Sequence, residues 1–175
     1  MTPLTAKLLH ALCMVAWWVI RRPFERKSSR NVLARNAMDG REKLLLAISL
    51  TGLGILPAIY IATGFPAALD QTFSPLRALA GLLVFIASLV LFYATHKALG
   101  RNWSVTLAVR EDHALVTTGV YRFVRHPMYS AFWLWAIAQA LTLQNWVVGP
   151  AGIIGFGLLY LLRVGREEAL MHETF

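Results

Sequence analysis

Polar and apolar positions fall along this chain in long blocks, five of them apolar: 4–20, 44–65, 79–94, 128–143 and 146–162. A membrane-spanning helix needs about 20 predominantly apolar residues. The 44–65 block meets that outright, and the other four are slightly short but extend through amphipathic ends. Little more than Gln144 and Asn145 separates the last two blocks, which therefore read as a tight helical hairpin. The pattern predicts an all-α integral membrane protein with about five transmembrane helices. No linker, repeat or low-complexity segment divides it. We expect a single membrane unit over 1–175, with three helices and a basic loop (21–43) in 1–98 and a distinct core in 99–175.

Composition agrees with the pattern. The chain of 175 residues is 57% hydrophobic and only 15% charged, against roughly a quarter charged in soluble domains, and its mean hydropathy is +0.55. A single cysteine, Cys13, excludes an internal disulfide framework and a Cys-rich metal site. His10, His96 and His172 lack the spacing of metal ligands.

A net charge of +8 would fit a nucleic-acid partner, but the placement of the cations argues against one. Segment 21–43 holds eight (Arg21, Arg22, Arg26, Lys27, Arg30, Arg35, Arg41, Lys43), segment 97–125 holds five, and Arg163 and Arg166 follow the last helix. Fifteen of the 17 Lys and Arg residues thus fall on one side of an alternating five-span topology. The positive-inside rule places that side in the cytosol, with the N-terminus outside and the C-terminus inside. Membrane lipids are the partner these cations imply, and the interleaved aromatics expected for nucleic acid are missing. Arg21 and Arg22 follow the first block directly without a small-residue cleavage site, so that block reads as a retained helix. Trp17, Trp18, Trp103 and Trp146 fall near predicted helix ends, where an interfacial belt is expected. Ala151 and Gly155 form a small-xxx-small pair suited to close helix packing. Asp70, in a short external loop, reads as solvated.

The segment 100–126 is too polar to span and too apolar for an idle loop. Residues 114–116, followed by Thr117, Thr118 and Gly119, read as a short extended stretch entering a turn. His126 precedes Pro127, which pushes its backbone away from the α region, and Pro127 suits the first turn of the fourth helix. First-turn N–H groups there favour an anionic group. The hairpin brings His126 and Tyr129 opposite Arg163, Arg166, Glu167 and Glu168. Two acids beside four cations at one membrane depth form a plausible cage for a small zwitterion, although Arg122 and Arg125 also read as simple interfacial anchors. No Gly-rich phosphate loop is present, which excludes a soluble Rossmann methyltransferase.

The stretch HALVTTGVYRFVRHPMY, followed by a helical hairpin and then RVGREEAL, resembles the isoprenylcysteine carboxyl methyltransferase family. That family belongs to a wider group of integral-membrane methyltransferases that includes phospholipid N-methyltransferases. The resemblance covers roughly 99–175 and implies S-adenosyl-L-methionine as methyl donor, held in a cytosolic pocket partly roofed by helices. Carried over by position, it implies that His113, Ala114, Leu115, Val116 and Tyr121 line the adenosine side. His126, Pro127, Met128 and Tyr129 would hold the cofactor where the fourth helix begins. Glu167, assisted by Glu168, would bind the α-amino group, and Arg163 would contact the substrate. The chemistry of the residues agrees, because acids suit an ammonium, helix N–H groups and His126 a carboxylate, and Tyr faces a sulfonium.

An acceptor carboxylate is ionised at neutral pH and needs no base, which favours a carboxyl O-methyltransferase acting on a lipophilic, isoprenylcysteine-like substrate. A phospholipid amine or a small thiol is the alternative acceptor. A sterol-type reductase is disfavoured because Glu167 and Glu168 would repel a pyrophosphate. A non-enzymatic membrane scaffold would tolerate loss of His126 and Glu167.

Overall fold

The apolar blocks become helices whose ends are set by local chemistry. The computed structural model describes residues 1–28, 35–36, 39–100, 108–109 and 116–174. Helix α1 runs Pro3–Ser28 and α2 Gly40–Leu50; a π-helical turn, Thr51–Ile55, joins α2 to α3, Leu56–Thr63. Helices α4 (Pro75–Leu99), α5 (Pro127–Thr142) and α6 (Val148–Thr174) follow. Short 3-10 turns lie at Ala67–Leu69 and Gly119–Arg122. A two-residue antiparallel pair, β1 (Arg35–Asn36) with β2 (Ala108–Val109), is the only sheet among the described residues.

Four stretches are long and apolar enough to cross a membrane: Pro3–Arg26, Gly40–Thr63, Pro75–Leu99 and Val148–Ala169. Helix α5 has 16 residues, about 24 Å at 1.5 Å per residue, short of a hydrocarbon core of about 30 Å. It nevertheless packs against both α4 and α6.

The two ends of the bundle are chemically distinct. At one end the α5–α6 turn is pinned to the α3–α4 connection. Gln144 Nε2 donates to the Ser74 carbonyl at 2.9 Å and its Oε1 accepts the Ser74 N–H at 2.7 Å. Asn145 Nδ2 donates to the carbonyl of Pro66 and to Asp70 Oδ1 (2.9 and 2.8 Å), while its Oδ1 caps α6 through the N–H groups of Val147 and Val148. Asp70 also accepts from the Tyr60 hydroxyl at 2.6 Å. Asp70, which reads as solvated from the sequence, is exposed, yet its carboxylate is the acceptor that ties Tyr60 to the hairpin tip. Lys7 lies 3.7 Å above the Tyr60 ring, which puts the start of α1 at this end too.

Between the ends, Leu45, Leu53, Phe85, Trp135, Phe156 and Leu159 form a continuous apolar core. Trp17, expected in an interfacial belt, instead points inward, its ring 5.0 Å from Trp135 and 5.6 Å from Phe92. Trp18 and Trp146 are exposed, as lipid-facing or interfacial tryptophans would be. The small residues of α6 allow very close approach: a Cβ on Gly155 would lie 2.9 Å from the Ile48 carbonyl oxygen, and one on Gly52 would collide with that of Ala151.

The π turn has a sequence cause. In the π register the Leu56 N–H bonds Thr51 O, and Gly52 O would look next to residue 57, where proline has no N–H to give. The buried Gln139 supplies the missing donor, its Nε2 lying 2.9 Å from Gly52 O and 2.7 Å from Val148 O.

Candidate functional site

The opposite end of the bundle collects the start of α5, the end of α6, the start of α2 and the Gly119–Arg122 turn. Helix α5 begins at Pro127 as the sequence requires, with His126 outside the helical region at φ −123°, ψ 64°. The first helical bond is Ser130 N–H to His126 O at 3.0 Å. The N–H groups of Met128 and Tyr129 therefore have no intrahelical acceptor, and among the described residues no side chain caps them. They form a small anion-favouring site beside a partly exposed imidazole.

Helix α6 delivers the acids. Glu168 Oε1 lies 3.1 Å from His126 Nε2, so the imidazole donates from that nitrogen. The hydroxyl of the buried Tyr129 donates to Glu167 Oε2. Tyr129 is further boxed by aromatic rings: His126 at 5.5 Å and Tyr160, edge-on, at 5.4 Å between centroids. Burial, reinforced by the Glu167 charge, pushes the Tyr121 phenol above its ordinary value, which places Tyr121 within electrostatic reach of the same carboxylate. Pro127 is buried, and Met128 and Val116 are half-buried. The structure thus brings His126, Tyr129, Tyr121, Glu167 and Glu168 together. His113, Ala114 and Leu115 lie outside the described residues.

Arg163 is also here, but largely inside the protein. It is 8% exposed, with its Nε 3.2 Å from Oε1 of Glu42, itself 1% exposed. The contact is one of charge, off the hydrogen-bond axis. One turn further along α6, Arg166 pairs with Asp39 Oδ2 at 3.2 Å. Asp39 is the N-cap of α2, its Oδ1 accepting the Glu42 N–H at 2.7 Å. That N–H is the main reason its carboxyl is held below the usual range, with Arg166 adding to it. Neither Asp39 nor Glu42 was singled out from the sequence, where they look like two acids in a basic loop. One signal was available: Glu42 is in helical phase with Leu45 and Ser49, the other buried positions of α2.

This cluster offers acidic groups, aromatic faces and free helix N–H groups within one small region, and so suits a ligand that is both cationic and anionic. Known proteins carry the same stretch. The isoprenylcysteine carboxyl methyltransferase family matches residues 79–173. A protein-S-isoprenylcysteine O-methyltransferase of Dictyostelium discoideum is 44% identical over 70 residues, covering 38% of this chain and 28% of its own length. Protein-S-isoprenylcysteine O-methyltransferase A of Arabidopsis thaliana is 30% identical over 97 residues, 54% of this chain and 49% of its own. A probable protein-S-isoprenylcysteine O-methyltransferase of Oryza sativa subsp. indica is 28% identical over 152 residues, 83% and 74% of the two chains. The chain thus spans about half or less of the first two relatives. The family match takes in most of α4, all but the last residue of the α5–α6 hairpin and every polar contact of the cluster except those made by Asp39 and Glu42, and on that match the chain belongs to the isoprenylcysteine carboxyl methyltransferase family.

Proposed function

We propose that this chain is an integral-membrane methyltransferase that uses S-adenosyl-L-methionine to methylate the carboxylate of a lipophilic, isoprenylcysteine-type substrate. The observation that carries this reading is the meeting of Glu167 and Glu168 with the uncapped N-terminus of α5. The residues fit the cofactor's charges. Glu167, with Glu168 beside it, suits the ammonium, while the Met128 and Tyr129 N–H groups and His126 suit the carboxylate. The rings of Tyr121 and Tyr129 suit the sulfonium. When bound, that cofactor supplies a methyl group on a cationic sulfur.

The protein's own part is to hold and aim. An acceptor carboxylate is already ionised at neutral pH, so no side chain has to remove a proton from it. Arg163 stands one helical turn before Glu167 on α6 and would orient the acceptor as a charge-assisted partner. Fixing nucleophile and methyl carbon in line can contribute up to about 7–11 kcal/mol in the best-oriented cases. Phe123, Val124, Leu161 and Leu162 are exposed around the cluster and form the apolar surface that a prenyl chain arriving from the bilayer would meet. The distribution of Lys and Arg along the sequence supports a cytosolic location for this end by the positive-inside rule, with α5 as a fifth, short crossing and 99–175 as the cofactor-binding core.

Calorimetry of the purified protein with S-adenosylhomocysteine tests the reading. Wild type should bind, and Glu167→Ala should weaken binding at least about tenfold, as expected for losing a hydrogen bond to a charged group, worth about 1.5–3 kcal/mol. Methyl transfer to a farnesylcysteine analogue but not to phosphatidylethanolamine should follow. No heat with wild-type protein would sink the proposal.

A further inference from the structure

The family match begins at residue 79, yet two acids from well before it reach into the cluster. Asp39 and Glu42 stand at the start of α2 and pair with Arg166 and Arg163, the cations that flank the Glu167 turn of α6. The two contacts differ in kind. Asp39 and Arg166 are both substantially exposed, where an ion pair contributes little. Glu42 and Arg163 are almost wholly buried, where geometry and charge balance matter far more. Asp39 serves the second contact as well as the first, because its cap on the Glu42 N–H fixes the first turn of α2 and so the origin of the Glu42 side chain.

Arg163 and Glu167 are four residues apart on α6, a spacing at which opposite charges on one helix attract each other. Glu167 instead accepts from Tyr129, and Glu42 approaches Arg163 at Nε. We propose that Glu42 is a positioning residue: lying against the Nε edge of the Arg163 guanidinium, it balances that charge and so sets the guanidinium for the acceptor carboxylate. The N-terminal helices thereby become part of the acceptor site and not only its membrane anchor. This rests on the methyltransferase reading above, and the tests are separable.

Three measurements on full-length protein decide it: S-adenosylhomocysteine affinity, and kcat and KM for the farnesylcysteine analogue. In Glu42→Gln, acceptor kcat/KM should fall at least tenfold while S-adenosylhomocysteine affinity stays within about threefold, and Glu42→Asp should lie between wild type and Glu42→Gln. Because removing one member of a buried pair can prevent folding, Arg163→Gln is compared with the double variant Glu42→Gln/Arg163→Gln, in which no unpaired charge is left buried. If Glu42 acts through Arg163, the two should have the same acceptor kcat/KM within about twofold. A further loss in the double variant, unchanged kinetics in Glu42→Gln, or an equal loss of S-adenosylhomocysteine binding would overturn the assignment. Wild-type protein that neither binds S-adenosylhomocysteine nor transfers methyl would overturn the methyltransferase reading and this inference with it.

Discussion

Replacing Gln139 with leucine tests whether the π turn depends on a donor borrowed from α5. The side chains are similar in volume, and Gln139 is fully buried, so packing changes little while two hydrogen bonds vanish. Val148 O keeps a donor within reach, because the Gly152 N–H follows it at helical spacing. Gly52 O does not, since residue 57 is a proline. The loss therefore amounts to one orphaned carbonyl, about 1–3 kcal/mol in a protein interior. Interhelical hydrogen bonds in membranes run lower, averaging about 0.6 and reaching about 1.7 kcal/mol. Combining these gives about 1–2 kcal/mol, or a fall in Tm of about 2–8 °C for a chain of this size, read by thermal unfolding in detergent micelles. The control is Pro57→Ala, which restores an N–H at the break. In that background Gln139→Leu should cost less than half as much. An equal cost in both backgrounds, or a shift under about 1 °C in the first, would refute the reasoning.

Two further outcomes follow from the packing and the electrostatics. Gly52→Ala drives a methyl into the Ala151 carbonyl, backbone against backbone, and should destabilise by about 1–3 kcal/mol; Gly54→Ala, which would meet only the tip of the Leu50 side chain, should be far milder in the same melt. Asp39→Asn keeps an α2 cap but removes the charge facing Arg166. The Asp39 carboxyl is held below its ordinary value of 3.8, so the stability it contributes is complete above that pH and is lost as the pH falls through the lower folded value. The Tm gap between wild type and variant should thus be open at neutral pH and close in acid; a gap independent of pH would count against the charge.

What could be read from the sequence was whatever depends on neighbours along the chain. Apolar block length placed the helices, and the His126–Pro127 pair located the start of α5 to the residue. The short Gln144–Asn145 turn made the two ends of the hairpin adjacent, and so put Tyr129 opposite Glu167. Contacts set by packing between distant helices were less accessible. Glu42 looks like any acid in a basic loop until α2 is docked on α6. Trp17 has the same composition around it whether it faces lipid or Trp135. Asp70 looks solvated until the hairpin tip arrives carrying Asn145. The size of α5 was visible, but its depth among its neighbours was not.

The pinned tip of the hairpin also has a mechanical consequence. Gln144 and Asn145 fasten the α5–α6 turn to residues 66–74 through several short hydrogen bonds, whereas the other end is closed mainly by Tyr129, His126 and the α6 acids. Any separation of α5 from α6 therefore works like a pair of tongs, swinging about the tip. From Val148 to Arg163 is about 22 Å along the helix, so a swing of about 5° opens the jaws by about 2 Å and leaves the pivot intact.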